Sequence, residues 1–346
     1  MRSSRSFPTL EDVAKAAGVS TATVSRCLNT PDRVIKPTRE KVMKAVDALG
    51  YTPNFGARVM AAKRTFTIGA IIPTMENAIF ARGLQAFQEE LHRHGYTLLV
   101  SSTAYRPELE EEQIRALVAR GADGLLLIGY DRDPALNAYL HQRAIPTLIA
   151  WAFKPEIPKP AIGFDNRAAM ARLTREVLAQ GHRRIGVISG IAKGNDRAAE
   201  RLAGFAEALG ATGLDLRDMP VIETPYGFEN GENAMIRLMQ TDARPTAVMC
   251  GNDVLAAGAL RGARALGLAV PQDVSVTGFD DIELARIVTP PLTTVHVPHR
   301  EMGTKAAIAL IALVEGGDSL PPTDLGVSIK RRESLGPATP RDEQAG

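Results

Sequence analysis

Cysteine is almost missing: the 346 residues hold two, Cys27 and Cys250, which supply neither a disulfide framework nor a zinc ligand set. Both read as packing residues. No run of about 18 apolar residues occurs, so no segment reads as a membrane-crossing helix. The first residues, MRSSRSFPTLEDV, carry charge without the apolar stretch of a secretion signal, and the expected compartment is the cytoplasm. Also lacking are a Gly-rich phosphate loop, a GxSxG elbow and a dinucleotide fingerprint after the first apolar strand, which removes the common routes to an α/β enzyme. The histidines offer no metal site: His92 and His94 point to different sides of a helix, and His296 and His299 lack carboxylate or cysteine ligands at the usual spacing. The expectation is a protein without cofactor, metal or catalysis.

Net charge is small at +2, but it is unevenly distributed. Residues 1–64 hold 12 Lys or Arg against 5 Asp or Glu, leaving 29 of the 41 basic residues against 34 of the 39 acidic ones for the rest. A basic N-terminal segment on a mildly acidic body is the pattern expected when one end of a chain meets phosphates. Within that segment, Thr9 to Asn29, TLEDVAKAAGVSTATVSRCLN, reads as two short helices meeting at a glycine turn. Thr9 and Asp12 form a capping box, Ala14 is small enough for close helix contact, Gly18 permits the turn, and Ser20 can cap the second helix. Val13, Ala17, Val24 and Leu28 supply apolar contacts, which leaves Thr21, Ala22, Ser25 and Arg26 facing outward at the start of a helix shaped for a DNA major groove. Thr38 is the expected cap of a third helix, Arg39 to Leu49, stopped by Gly50.

After residues 54–65 the pattern changes to short apolar strands alternating with amphipathic helices. Strand candidates are 67–73, 97–101, 124–128, 147–150, 184–189, 247–250 and 274–278, with a helix near 78–94. Such strands indicate parallel sheets covered on both faces, and the length favours two α/β lobes over one sheet. Ligands of open parallel sheets bind beyond the carboxyl ends of the strands. The loops there contain Asn77, Arg197, Arg201, Asn252 and Asp280 with the apolar Phe80, Trp151 and Phe279, a mixture suited to a polar small molecule. Trp151 can either stack on a ligand or pack in the core. Arg197, one helical turn before Arg201, can either join it in the pocket, favouring an anionic effector, or pair outside with Glu200 or Glu229.

The segments DVAKAAGVSTATVSRCLN, YTPN at 51–54, QGHRRIGVISG at 180–190, RLAGF at 201–205, GNDVLAAGAL and TGFDDIELARIVTPPLTTV together resemble the lactose repressor (LacI/GalR) family of bacterial transcription regulators, over residues 9 to about 333. The resemblance implies an all-α helix-turn-helix headpiece and an α/β two-lobed, periplasmic-binding-protein-like core with doubly wound parallel sheets and three crossings between lobes. The implied division is a headpiece at 1–53, a hinge helix at 54–65, a core at 66–334 and a flexible tail at 335–346. Within the core, one lobe would take 66–164 and 296–324, the other 165–295 and 325–334. It implies a dimeric repressor on a pseudo-palindromic operator, its affinity set by a small effector such as a sugar, sugar acid or similar carboxylate, with no membrane partner. A C-terminal heptad helix is lacking, which favours dimer over tetramer.

Carried over by motif, Thr21, Ala22 and Arg26 read bases. Arg26 either bonds a guanine edge or contacts phosphate, while Ser20, Thr23, Ser25 and Asn29, with Thr9, set register on the backbone. In the hinge, Asn54 and Ala57 lie on the DNA side, and Met60 stands where relatives commonly have a leucine wedge between central base pairs. The effector contacts carried over are Arg201, Asn252 and Asp280. Whether the effector releases or recruits DNA binding does not follow from the sequence. Met60→Gly is expected to weaken operator binding more than about tenfold, about 1.4 kcal/mol, while leaving effector binding intact; equal operator affinities for the two proteins in a fluorescence-anisotropy titration would remove the wedge.

Overall fold

A computed structural model describes residues 8–52, 64–76, 78–241, 244–318 and 321–338, in two compact units that divide after Thr65. The hinge residues Asn54, Ala57 and Met60, together with Asn77, lie outside the described residues. The first unit holds helices α1 (Leu10–Ala17), α2 (Thr21–Asn29) and α3 (Lys36–Leu49). The capping box at α1 is present in both directions, with the Asp12 amide donating to the Thr9 hydroxyl and Asp12 accepting from the Thr9 amide. Gly18 ends α1 in the left-handed region at φ 62°, which a side chain resists. Ser20 caps α2 by accepting from the Thr23 amide. The buried core is Val13, Ala14, Ala17, Val24 and Cys27 against Val42, Val46 and Tyr51, with Leu28 packed on it. The start of α3 differs from the sequence expectation: the helix begins at Lys36, before Thr38, without a side-chain cap. Pro37 in the first turn explains this, because its fixed φ favours helix initiation and its missing N–H would have been unpaired there in any case.

The second unit contains two six-stranded sheets, as the strand count requires. In chain order come β1 (Thr67–Ile72), α4 (Ala78–Arg93), β2 (Thr97–Ser102), α5 (Pro107–Ala119), β3 (Gly124–Ile128), α6 (Pro134–Gln142), β4 (Thr147–Ala150), β5 (Ala161–Gly163) and α7 (Asn166–Ala179). There follow β6 (Ile185–Gly190), α8 (Asp196–Gly210), β7 (Val221–Thr224), α9 (Phe228–Met239), β8 (Ala247–Cys250), α10 (Asp253–Ala265), β9 (Ser275–Asp280) and α11 (Leu284–Ile287). The last elements are β10 (Thr293–His296), α12 (His299–Val314), β11 (Thr323–Asp324) and β12 (Ser328–Lys330). The first lobe has strand order β11-β5-β4-β3-β1-β2 and the second β12-β10-β9-β8-β6-β7. All pairings are parallel except β10 with β12. The chain changes sheet after β5, after β10 and after β11.

Strands β1, β3, β6, β8 and β9 are buried along their whole length, as expected for strands covered by helices on both faces. One of these covering layers is the pair α4 and α12, which cross at Gly83 and Gly303. A Cβ on Gly303 would run into the Gly83 carbonyl oxygen and crowd the Phe87 amide. Backbone therefore rests on backbone there, and no side chain can take the place of the hydrogen. Gly303→Ala is expected to cost about 1–3 kcal/mol by overpacking, measured as a lower unfolding midpoint in urea; an unchanged midpoint would mean that the helices separate freely.

Candidate functional site

Three strand ends of the second lobe converge: Ser189 and Gly190 from β6, Gly251 and Asn252 after β8, and Phe279 and Asp280 from β9. Asn252 is fully buried and caps α10 by accepting from the Leu255 amide at 2.9 Å. Among the described residues its Nδ2 has no partner. Asp280 is 1% exposed, and neither carboxylate oxygen has a hydrogen-bond donor. Its backbone lies at φ 101°, a conformation that costs energy in an L-residue and marks sites under functional constraint. The facing cation is Arg201, whose Nη2 stands 3.5 Å from Asp280 Oδ1. Arg201 donates through Nε to Asn166 Oδ1 at 2.9 Å and through Nη1 to the Gly251 carbonyl at 2.5 Å. Its guanidinium lies over the Phe279 ring, 3.6 Å from the centroid. These contacts leave Arg201 in one orientation.

The loop carrying Asp280 is held from behind. Asp253 accepts from the Thr294 hydroxyl at 2.6 Å and from the Ile282 amide at 2.8 Å. Burial pushes its carboxyl well above the ordinary range, and the neighbouring Asp280 and Asp281 add to this. Asp281 accepts from Arg332 at 2.5 Å and His296 at 2.8 Å. Burial alone would raise it, but these two donors hold it below the usual carboxylate value.

Across the cleft, Arg197 is buried, and it pairs with Asp196 at 2.9 Å and donates to the Ile128 carbonyl of the first lobe at 3.2 Å. The outside pairing with Glu200 or Glu229 is not formed; Glu200 binds Lys154 at 2.6 Å. Asp196 in turn accepts from the Tyr130 amide at 2.6 Å. Gly129 lies between these contacts at φ 73°, and a Cβ there would strike both Asp196 and Arg197. Beside this contact, a crevice of about 270 Å³ is bordered by Phe153, Lys154, Asn166, Arg197 and Glu200.

Trp151 and Phe80 pack inside the first lobe. Trp151 is 2% exposed, its ring meets Phe80 edge-on at 5.3 Å, and its Nε1–H donates to His299 Nδ1 at 3.2 Å. Of the two roles open for Trp151, the structure gives core packing. Sequence reasoning missed Tyr105 and Tyr226, whose rings approach to 5.5 Å from the two lobes. Burial raises the Tyr105 hydroxyl above its ordinary value, so the ring remains neutral. Both residues follow strand ends, β2 and β7: β7 does not stand out as a strand in the sequence, which hid Tyr226, whereas Tyr105 lies in the loop after the legible β2 and was passed over there. Asn166, Asp196 and His299 were also missed.

On the headpiece, Thr21, Ala22 and Arg26 are exposed along α2, while Thr23 and Ser25 are half-buried. Ser20 and Thr23 share a hydroxyl contact of 2.9 Å, and the Thr9 hydroxyl donates to Asp12 at 2.7 Å. The side chain of Asn29 lies outside the described residues. Among the described residues no three potential metal ligands cluster, and no helix is long and apolar enough to cross a membrane.

Residues 9–54 match the family described as bacterial regulatory proteins, lacI family, and residues 174–335 match the periplasmic binding protein-like domain. The chain is 36% identical over 309 residues to the HTH-type transcriptional repressor CytR of Escherichia coli (strain K12), covering 89% of this chain and 90% of that one. Its fold is similar to the crystal structure of the Lac repressor dimer bound to operator and the anti-inducer ONPF, with a TM-score of 0.84, 27% identity, and coverage of 96% and 100% of the two chains. The complex of the transcriptional regulator CelR with cellobiose matches with a TM-score of 0.69 at 31% identity, covering 94% and 99%.

Removing one partner of a buried charge pair strands the other. Arg201→Met is therefore expected to cost about 3–5 kcal/mol in urea unfolding, and adding Asp280→Asn in the same chain should recover most of that. A double variant as unstable as the single one would mean that the two charges are not coupled.

Proposed function

Since this chain belongs to the lacI family of bacterial regulatory proteins, we propose that it is a dimeric, DNA-binding transcriptional repressor whose operator affinity is set by a small neutral polar effector held by Arg201, Asn252 and Asp280. The observation that carries the effector reading is the set of buried polar atoms without partners, Asn252 Nδ2 and both Asp280 carboxylate oxygens. Leaving such groups unpaired is costly, so they call for a ligand that accepts one hydrogen bond and donates two or more. Adjacent hydroxyls of a sugar-like compound do both.

Among the sugar, sugar acid and carboxylate expected, charge accounting favours the neutral sugar. Arg201 faces Asp280 and Arg197 faces Asp196, so each cation already has an anion. An effector carboxylate would lie against the bare Asp280 oxygens, and that repulsion favours neutral compounds. The cellobiose complex of CelR, a protein of the same fold, is consistent with a neutral sugar in such a cleft.

DNA reading is assigned to Arg26, Thr21 and Ala22 on the exposed face of α2, with Asn54, Ala57 and Met60 of the hinge in the minor groove. The working division remains a headpiece at 1–53, a hinge at 54–65 and a core at 66–334. The second copy of the dimer would cover the terminal strand β2, whose Leu99 and Val100 are exposed on an open sheet edge. The work of such a repressor lies in the cytoplasm, where its operator is. An enzyme in the cleft is disfavoured because the homologous proteins are repressors.

The test is the unfolding midpoint of the full chain with cellobiose, D-glucose and D-gluconate. A ligand at about 100 times its Kd adds about 2.7 kcal/mol to the native state. A neutral sugar is expected to raise the midpoint, with the gain lost in Asn252→Ala and Asp280→Asn. Stabilisation by D-gluconate alone would overturn the neutral reading.

A further inference from the structure

Four hydrogen bonds and one ion pair link five residues in a circuit through both lobes. Arg201 Nε donates to Asn166 Oδ1 at 2.9 Å, and Asn166 Nδ2 donates to the Trp151 carbonyl at 3.0 Å. The indole N–H of Trp151 donates to His299 Nδ1 at 3.2 Å. His299 Nε2 donates to the Asp280 carbonyl at 3.2 Å, and the Asp280 carboxylate returns to Arg201 at 3.5 Å. Trp151 directly follows β4 of the first lobe, Asp280 ends β9 of the second, and His299 opens α12 directly after the chain recrosses. The circuit thus runs along two of the three crossings.

The roles of the imidazole are fixed by its partners. Nδ1 must accept, since the indole only donates, and Nε2 must donate, since a carbonyl only accepts. His299 is 5% exposed. On the other side, the Trp151 ring is set into a notch of α4: a Cβ on Gly83 would occupy its six-membered ring. Trp151 and Asp280 both have positive φ, 59° and 101°, so the histidine joins two strained strand ends.

We propose that His299 is a positioning residue: through Trp151 it ties the backbone of Asp280 to the α4 and α12 layer of the first lobe, so that effector contact and lobe relation are set together. This rests on the reading of Asp280 as an effector contact. Protonation of Nδ1 would place two donors face to face and release the tie. The groups facing the imidazole are Asp280, which favours its protonation, and Arg82 of α4 and His296, which oppose it; burial outweighs these and pulls its pKa below the ordinary value of 6.5. The neutral form therefore prevails at pH 7.

Trp151 is the only tryptophan in the chain, so its emission reports on this pair directly, without any effector. Lowering the pH from about 8 to about 5 should change the emission of the full chain in one step centred below 6.5. His299→Gln, whose amide can both accept from the indole and donate to Asp280, should abolish that step while His296 remains. Amide exchange at constant neutral pH supplies the second readout. His299→Met should speed exchange of residues 277–283 and of α4 at least about tenfold and leave 247–263 unchanged, whereas His299→Gln should keep both near the native rate. The proposal fails if His299→Met leaves 277–283 at the native rate, if 247–263 accelerates equally, or if the emission step persists in His299→Gln. A failed effector panel with these readouts as expected would instead overturn the effector reading.

Discussion

A buried ion pair with an unfinished hydrogen-bond shell governs the second unit. Arg201 and Asp280 are shut away from water 3.5 Å apart, and taking two charges out of water costs several kcal/mol unless their lone pairs and protons are satisfied. The arginine side is held: Nε and Nη1 donate to Asn166 and the Gly251 carbonyl, and the Phe279 ring covers its face. The aspartate side is not, for its oxygens accept nothing. The imbalance lies on the side that a ligand would complete, and the loop is built to tolerate it. Asp253 grips Ile282 and Thr294, Asp281 grips Arg332 and His296, and the resulting scaffold holds Asp280 in a conformation it would not choose alone.

The same loop explains how two lobes with separate sheets share one site. The first lobe brings no charge of its own to the pair. It brings backbone: the Ile128 carbonyl and Tyr130 amide take the Arg197 and Asp196 side chains, and the Trp151 carbonyl orients Asn166. Backbone groups cannot change rotamer, so contacts of this kind transmit position. Side chains anchored on the second lobe therefore sense where the strand ends of the first lobe lie. Gly129 is where the approach is closest, and a left-handed backbone with no Cβ is the only arrangement that admits both Asp196 and Arg197 there.

Much of this was legible in the chain because two rules of physical origin are strong. Apolar runs of strand length marked β1, β3, β4, β6, β8 and β9 to within a residue or two, and the residues just beyond such strands named Arg201, Asn252 and Asp280. In the headpiece, capping chemistry and a left-handed glycine placed α1 and α2. The misses have equally physical causes. Strand β5 is only three residues long, and β7 (VIET) and β10 (TTVH) mix polar residues into four positions, so none stands out as an apolar run, and with β7 went Tyr226. Pairings such as Trp151 with His299 join residues 148 apart in sequence, and no local pattern carries that distance. For Arg197 the sequence offered the pocket or an outside pairing with Glu200 or Glu229, and its actual partner is its immediate neighbour Asp196, a spacing at which side chains on a helix ordinarily diverge.

The distribution of charge connects the two ends of the chain. Nonspecific attraction to DNA scales with the number of phosphates neutralised, and the basic surplus lies in residues 1–64. In the proposed repressor that surplus supplies the attraction to DNA, and the effector site adds no net charge to it, since Arg201 and Asp280 compensate each other. Control in the proposed repressor would then act through geometry, by a change in the relation of the two lobes. A site whose cations are already compensated suits that proposed role: an effector there would add hydrogen bonds of fixed direction, and the free energy would go into orientation. In the proposed function the neutrality of the Arg201 and Asp280 site and the basicity of the headpiece are thus complementary, one suited to selecting an arrangement of the lobes and the other to attracting DNA.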